Sequence, residues 1–431
     1  MRGDEKQQKI KLISDELVDW TLGDEIQVVV GFDYATIYDF SQQRVYQIDK
    51  WTGHLLTLLT KQHQDTLCIL LQKVNFSSEK YSNLVTFLRR LKDLNILVPK
   101  NKVTGKGRKT HFPGQFPTIP SLAEIEITSH CNFNCPHCYF GAELNTTKMS
   151  FSFLSNLIDE VYEAGIRHIQ FTGGEPFTRT DLLSILKKAS RAGLEVELLS
   201  NGSLIKSSQI PHLKKYVNQI QITLYGMSAA TYQHFVKRPN TFEKIIDSIR
   251  KIRAMEIPFH LAFTISSLNF DDVNRFVRFC QQNQIKFLLG GTLPVGKAQS
   301  HPEIVTILKK DLDRIIEKYI DDNGGITFMD RACRTERVVV LSDGRVTLCP
   351  LSRSAPFIAG NIHDDTLLQI WRTGCRKISE GQRVDVLKTC KNCELKYICT
   401  GGCPIIRPSI NTRYPCALYF DKKRFLITKV K

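Results

Sequence analysis

Three cysteines stand at the spacing C-x-x-x-C-x-x-C in the run CNFNCPHC: Cys131, Cys135 and Cys138. Thiolates set this closely bind soft metals. Three of them can hold three irons of a four-iron cluster and leave the fourth iron open to a cofactor. Four protein ligands would instead make a closed electron carrier. A zinc knuckle is the other chemistry open to this run, with His130 or His137 as the fourth ligand. FTGGEPF follows, bringing Gly173, Gly174, Glu175 and Pro176; taken alone, GGEP reads as an ordinary strand-to-helix turn. A second group of cysteines lies far downstream. Cys390, Cys393, Cys399 and Cys403 are spaced C-x-x-C-x5-C-x3-C, Cys333 and Cys349 precede them, and Cys416 follows.

The elements around these residues divide the chain into three expected domains: 1–110, 120–325 and 326–431. In the first, EIQVVVGFDYATIYDF and QQRVYQIDKW read as strands, and TGHLLTLLTKQ, DTLCILLQKV and KYSNLVTFLRRLKDLNIL show helical spacing. Hairpins followed by three short helices suggest a winged-helix-like module. KNKVTGKGRK and the proline-rich HFPGQFPTIP read as a linker. In the second, six buried-strand patterns (SLAEIEIT, IRHIQFTG, LEVELLSN, NQIQITLY, PFHLAFTI and IKFLLGGT) alternate with amphipathic helices. That alternation predicts an α/β fold with a parallel sheet and right-handed crossovers, a partial (β/α)6 TIM-like barrel. Chemistry in such a sheet sits at the C-terminal ends of strands, where the cysteine run and GGEP both fall. The third region carries most of the thirteen cysteines. A hairpin is expected around Asp343-Gly344 and a short helix over DTLLQIWRTG, with loops elsewhere, as where metal replaces an apolar core.

Composition narrows the class. The 431 residues are long enough for two or three domains with cores, and 42% hydrophobic content fits a soluble globular protein. No apolar run approaches a membrane span, and the charged N-terminus is not a secretory signal. Thirteen cysteines in such a chain argue for metal rather than disulfides, so a reduced, cytoplasmic setting is expected. The net charge of +16 points to an anionic partner, nucleic acid or an acidic peptide, or to a solvated basic surface. Cys68 and Cys280 read as buried core thiols.

The cysteine triple with GGEP resembles the radical S-adenosylmethionine (SAM) superfamily. The resemblance implies that Cys131, Cys135 and Cys138 hold a four-iron, four-sulfur cluster. Its open iron would chelate the amino and carboxylate groups of SAM, whose reductive cleavage yields a 5′-deoxyadenosyl radical that abstracts a substrate hydrogen. It further implies that His137 stands beside the adenine where relatives carry an aromatic residue, that Gly174 and Glu175 receive the SAM ammonium, and that Ser200 and Asn201 of LLSNGS bind the ribose. Thr223 and Arg238 match a further family stretch, with Arg238 as a clamp for the SAM carboxylate; Tyr225 replaces the usual Asp there. No side chain is singled out as a catalytic acid or base.

The downstream cysteines resemble the seven-cysteine SPASM domain in every interval, and GNI and IW at 360–371 match it too. By that resemblance Cys390, Cys393, Cys399 and Cys416 hold one auxiliary iron–sulfur cluster, and Cys333, Cys349 and Cys403 another. The second lacks a ligand: Cys375 could supply it, or an open iron could bind a substrate thiolate. The first module resembles the PqqD-like element in which a leader peptide adds to a sheet edge. The layout thus resembles subtilosin-type sactipeptide maturases. It implies an oxidoreductase that cross-links a ribosomally made precursor peptide, through a thioether or a carbon–carbon bond. A low-potential donor such as ferredoxin or flavodoxin would be its partner, with no membrane and no nucleic acid required. An RNA-modifying radical SAM enzyme and a non-catalytic iron–sulfur regulator are the alternatives.

Overall fold

A computed structural model describes residues 19–31, 34–42, 44–59, 78–103, 116–140, 148–305, 336–388, 390–399, 403–405 and 428–429. The chain divides into two compact units. One comprises Met1–Gln115, Asp321–Ala332 and Gly381–Lys431; the other comprises Phe116–Ile320 and Cys333–Glu380. The cysteine-rich third region is therefore shared between the units rather than forming a third.

In the first unit, β1 (Trp20–Leu22) pairs antiparallel with a later strand, Leu97–Pro99. β2 (Ile26–Val30), β3 (Ala35–Asp39) and β4 (Arg44–Ile48) form an antiparallel meander, and Thr428–Lys429 adds parallel to β4. Helices Lys50–Leu59 and Ser78–Asp93 follow. The second helix stops before the NIL of its sequence pattern. Asn95 takes φ 56, a left-handed conformation that Asn tolerates, and Leu97 opens the strand. The expected helix DTLCILLQKV, with Cys68, lies outside the described residues, as do most of the linker and residues 1–18. One face of the meander (Ala35, Ile37, Tyr46, Ile48) packs with Leu55, Leu56, Leu84 and Leu88 of the helices. The other face (Val29, Tyr38, Val45) packs with Val384, Cys390 and Tyr397.

The second unit holds the six expected strands. Leu97–Pro99 being β5, they are β6 (Leu122–Thr128), β7 (His168–Gly173), β8 (Glu195–Ser200), β9 (Gln219–Leu224), β10 (Phe259–Ile265) and β11 (Phe287–Gly291). Each pairs parallel with the next in chain order. Successive side chains point to opposite faces. Ile125, Ile127, Ile169, Phe171, Val196, Leu198, Ile220, Ile222, Leu261 and Phe263 enter one continuous core. Thr172, Leu199, Gln221, Thr223, Ala262 and Thr264, at the alternate positions, line a cavity.

The helices close that core by their spacing. Helix Phe151–Glu163 buries Leu154, Leu157, Ile158 and Val161, and the Ser150 hydroxyl caps it by accepting the Phe153 N–H at 3.1 Å. β12 (Arg337–Val340) adds parallel to β6 on its far side, then turns through Gly344 (φ +89) into antiparallel β13 (Arg345–Thr347) and β14 (Gly360–Asn361). The expected hairpin is thus part of the barrel sheet. The short helix Leu367–Ile370 continues through a π-turn, Trp371–Cys375, into Arg376–Gly381. It is anchored by Trp371, whose indole N–H donates to the Pro117 carbonyl at 2.8 Å.

Candidate functional site

The loop carrying Cys131, Cys135 and Cys138 leaves the C-terminal end of β6 and is latched on two sides. On one side lies GGEP, after β7. Gly174 N–H donates to the Thr128 carbonyl and Glu175 N–H to the His130 carbonyl, both at 2.8 Å. Only glycine fits there. Gly173 sits at φ +135, and a Cβ on Gly174 would lie 2.2 Å from the His130 carbonyl oxygen. On the other side, after β11, Lys297 N–H donates to the Cys138 carbonyl at 2.9 Å, and a Cβ on Gly296 (φ +57) would lie 2.4 Å from that oxygen. Beneath the loop, Arg353 reaches both Glu126 oxygens of β6, at 2.6 and 3.1 Å, and its guanidinium lies 4.3 Å from the Phe140 ring centroid.

A cavity of about 350 Å³ opens between these latches. The three cysteines line it, as do His137, Gly174, Ser200, Asn201, Thr223, Tyr225, Gln221, Thr292 and Lys297. Burial pushes the Cys131 thiol up to about 12 and raises those of Cys135 and Cys138, which also repel one another. Three thiols on one cavity wall, Cys135 buried and Cys131 and Cys138 half-buried, would ionise readily only against a bound cation, as cluster iron provides. Among the described residues, no three His, Cys, Asp or Glu side chains group around a single ion. A four-iron cluster takes one thiolate on each of three irons, and this donor set beside an open cavity fits it.

His137 is half-buried in an aromatic wall, 4.9 Å from the Tyr225 centroid and 4.7 Å from that of Phe235. Burial lowers its pKa to about 3, so the ring is neutral, and its Nδ1 has no hydrogen-bond partner among the described residues. Ser200 and Asn201 reach the cavity from the end of β8. Asn201 is fixed by its Nδ2 donating to Asn132 Oδ1 at 2.9 Å, within the cysteine loop.

Two expected cofactor contacts lie elsewhere. Glu175 is fully buried behind the wall, and its carboxylate accepts from Ser200 Oγ (2.8 Å), Asn201 N (2.7 Å) and Phe177 N (3.0 Å). In this arrangement it ties the end of β8 to the GGEP turn rather than facing a ligand. Arg238 is exposed, off the cavity wall, and donates from Nε to the Asn132 carbonyl at 3.1 Å. A carboxylate in the cavity would meet Lys297 instead. Lys297 and Gln221 were not marked by any motif; the signal available was the place of Gln221 on the alternate face of β9 and of Lys297 in the turn that follows β11.

Of the remaining cysteines, Cys280 and Cys375 are fully buried in the apolar core. Burial pushes the Cys375 thiol up to about 12, and it packs among apolar side chains; Cys333, the ligand it would join, lies outside the described residues. Cys349 is half-buried, its carbonyl accepting from Ser352 N at 2.9 Å. In the other unit, Cys390 and Cys393 form a turn (Cys393 N–H to Cys390 O, 2.9 Å) on the second face of the meander. There the Tyr38 hydroxyl donates to the Glu394 carbonyl at 2.5 Å. Cys399 closes the helix Lys396–Cys399, and Cys403 is half-buried. Cys333 and Cys416 lie outside the described residues.

Comparison with known proteins agrees with this geometry. Residues 125–280 match the radical SAM superfamily and residues 333–394 the SPASM iron–sulfur cluster-binding domain. An AdoMet-dependent heme synthase of Methanosarcina barkeri is 24% identical over 325 residues, 65% of this chain and 90% of that protein. A PqqA peptide cyclase of Gluconobacter oxydans is 22% identical over 309 residues, 67% of this chain and 86% of that one. The crystal structure of Streptococcus suis SuiB bound to precursor peptide SuiA superposes with a TM-score of 0.58 at 15% identity, covering 91% of this chain and 98% of SuiB. Among the described residues no helix is long and apolar enough to cross a membrane.

Proposed function

We propose that this chain, a radical SAM enzyme carrying a SPASM cluster-binding domain, modifies a ribosomally synthesised precursor peptide. The observation that carries the reading is the N-terminal unit: an antiparallel meander with helices on one face, joined to a SAM-type barrel. That is the build of a module that takes an extended peptide as an added strand. The likeness to SuiB, solved with its precursor peptide, extends over 91% of this chain and so reaches beyond the barrel.

In this reading Cys131, Cys135 and Cys138 hold the four-iron cluster. Bound together, cluster and SAM supply reductive cleavage of the sulfonium and a 5′-deoxyadenosyl radical. The chain's own residues place and shelter that chemistry. His137, Tyr225 and Phe235 offer an apolar aromatic wall for the adenine. Ser200 and Asn201 present polar groups at the end of β8 for the ribose, held there by Glu175. Gly173 and Gly174 bring bare backbone close to the cysteine loop. The SPASM cysteines hold the auxiliary clusters.

The bond formed is a thioether in the first instance. A substrate C–H and a cysteine S–H break and a C–S bond forms. The carbon's hydrogen atom goes to the 5′-deoxyadenosyl radical, the thiol proton to solvent, and the one remaining electron to a low-potential acceptor. The test is co-expression with a short cysteine-containing peptide encoded beside the gene. The peptide should lose the mass of two hydrogens and resist thiol alkylation. The Cys131→Ala/Cys135→Ala/Cys138→Ala triple variant should leave it unchanged while keeping its auxiliary iron.

A second reading follows from the relative named AdoMet-dependent heme synthase, which matches 65% of this chain: a tetrapyrrole as substrate. SAM cleavage that depends on an added carboxylated tetrapyrrole, and not on any peptide, would favour it over the first.

A further inference from the structure

The described residues lining the cavity include no Asp, Glu or Arg; the cationic side chain among them is Lys297. Its position is not incidental. The segment from Val295 to Lys297 leaves β11 and lies against the cysteine loop so closely that Gly296 has no room for a Cβ beside the Cys138 carbonyl and Tyr139 Cα. The Lys297 backbone N–H is bonded to Cys138, and its Nζ to Asn134 Oδ1 at 2.5 Å, inside the CNFNC run. Both ends of the residue are thus fastened to the loop that bears the ligands.

Two other cations meet this loop from outside the cavity: exposed Arg238, bonded to the Asn132 carbonyl, and Arg353 beneath it, which is already committed. Arg353 spends its guanidinium on the buried Glu126 carboxylate, at 2.6 and 3.1 Å. The nearby Glu175 carboxylate is enclosed by Ser200, Asn201 and Phe177. Among the described residues that line the cavity with the cysteines, Lys297 is the one that brings positive charge.

We propose that Lys297 is an electrostatic positioning residue for the SAM-site cluster, favouring its reduced form. This rests on the assignment of Cys131, Cys135 and Cys138 as cluster ligands. Reduction adds one negative charge to a cluster already bearing three thiolates. In a partly buried site, a fixed cation stabilises the more negative state more strongly than the less negative one. Carboxylate and sulfonium ends of SAM enter the same field. The lysine therefore bears on how readily an external donor can deliver the electron, without itself touching the reacting bond.

The test is an EPR-monitored redox titration of the anaerobically reconstituted full chain. The signal that changes on adding SAM identifies the cluster concerned. In Lys297→Met the reduced-to-oxidised ratio at a given potential should fall about tenfold, a shift of about 59 mV for a one-electron couple. Lys297→Arg, which keeps the charge, should restore most of it. Asn134→Ala, which frees Nζ but leaves the cation in place, should move the potential less than Lys297→Met.

Equal potentials in the parent and Lys297→Met would overturn the proposal. If Lys297→Met fails to load iron, Lys297→Arg decides. Normal loading and potential there support a role for charge, and failure there too shows that packing alone is at stake. A parent protein whose iron signal ignores SAM would refute the ligand assignment itself, a result distinct from either.

Discussion

The two units bury their sheets in opposite ways. In the barrel unit, strands such as β7 and β9 keep one apolar and one polar face. Ile169 and Phe171 enter the core while Gln170 and Thr172, alternating with them, face the other way. The polar face is where the cavity forms. In the other unit β3 is buried throughout, Ala35 and Ile37 against the helices and Tyr38 against residues 384–397. Its second face is closed by a stretch of chain more than three hundred residues downstream, bonded through Tyr38 and Glu394. A sheet with one polar face advertises a site and can stand alone. A sheet covered on both faces belongs to whatever covers it, so here the meander and the Cys390–Cys393 turn are one body.

The strongest way to break this comparison is to remove residues 1–110. That strips the cover from Val384, Cys390 and Tyr397, each large apolar side chain being worth about 1.5–3 kcal/mol of burial. The truncated chain should retain SAM cleavage but lose iron held near Cys390 and Cys393. Iron and sulfide counting with a 5′-deoxyadenosine assay measures both. Full auxiliary iron would show that the meander is a detachable module after all.

Gly174→Ala should act within the barrel unit alone. The new Cβ meets backbone, not a movable side chain, so the latch between GGEP and the cysteine loop must open at a cost of about 1–3 kcal/mol. Iron at the SAM site should fall while the Cys390–Cys393 region keeps its own, read by the SAM-sensitive EPR signal.

A smaller effect should distinguish Glu175 by pH. Burial pushes its carboxyl up to about 7 against the three hydrogen bonds that lower it. The folded chain then holds this proton more tightly than the unfolded one. The stability it confers is complete below about pH 4.5 and lost as pH rises through about 7. Glu175→Gln cannot titrate and should flatten that part of the slope, measured by urea midpoints at about pH 5 and about pH 8. An unchanged slope would remove Glu175 from the account. Least of all, Tyr38→Phe removes one hydrogen bond to the Glu394 carbonyl, costing about 0.5–1.5 kcal/mol locally. Amide exchange should quicken in β3 and around Cys393 together, and not in β7 or β8.

What the sequence disclosed follows the same division. The six parallel strands were legible because each is a local pattern bounded by its own helix. The cysteine triple was legible because ligand spacing is itself local. Glu175 was harder. Its motif marks it, but the direction of its carboxylate depends on the turn at Gly173 and on what β8 offers behind the wall. Lys297 carries no motif and reaches the cysteine loop only through the return of β11. The second face of β3 left no trace near residue 38, because its partner is encoded at residues 384–397. The packing of Cys375 among apolar side chains was likewise invisible locally, since the residues around it come from distant stretches of chain.

The pairing of β12 with β6 also has a meaning for how the protein is made. β6 begins the barrel and leads into the ligand loop, yet its outer edge is bare until residues 337–340 leave the ribosome. Glu124 and Arg337, joined across that edge at 2.9 Å, are 213 residues apart. Throughout that interval the nascent sheet offers an open strand edge, the feature most prone to pair with another chain. Non-local parallel pairing is also slow. Expression cut at residue 325 would make this exposure permanent. The recombinant fragment should therefore aggregate unless extended through β13, and iron delivery is best timed after release of the full chain.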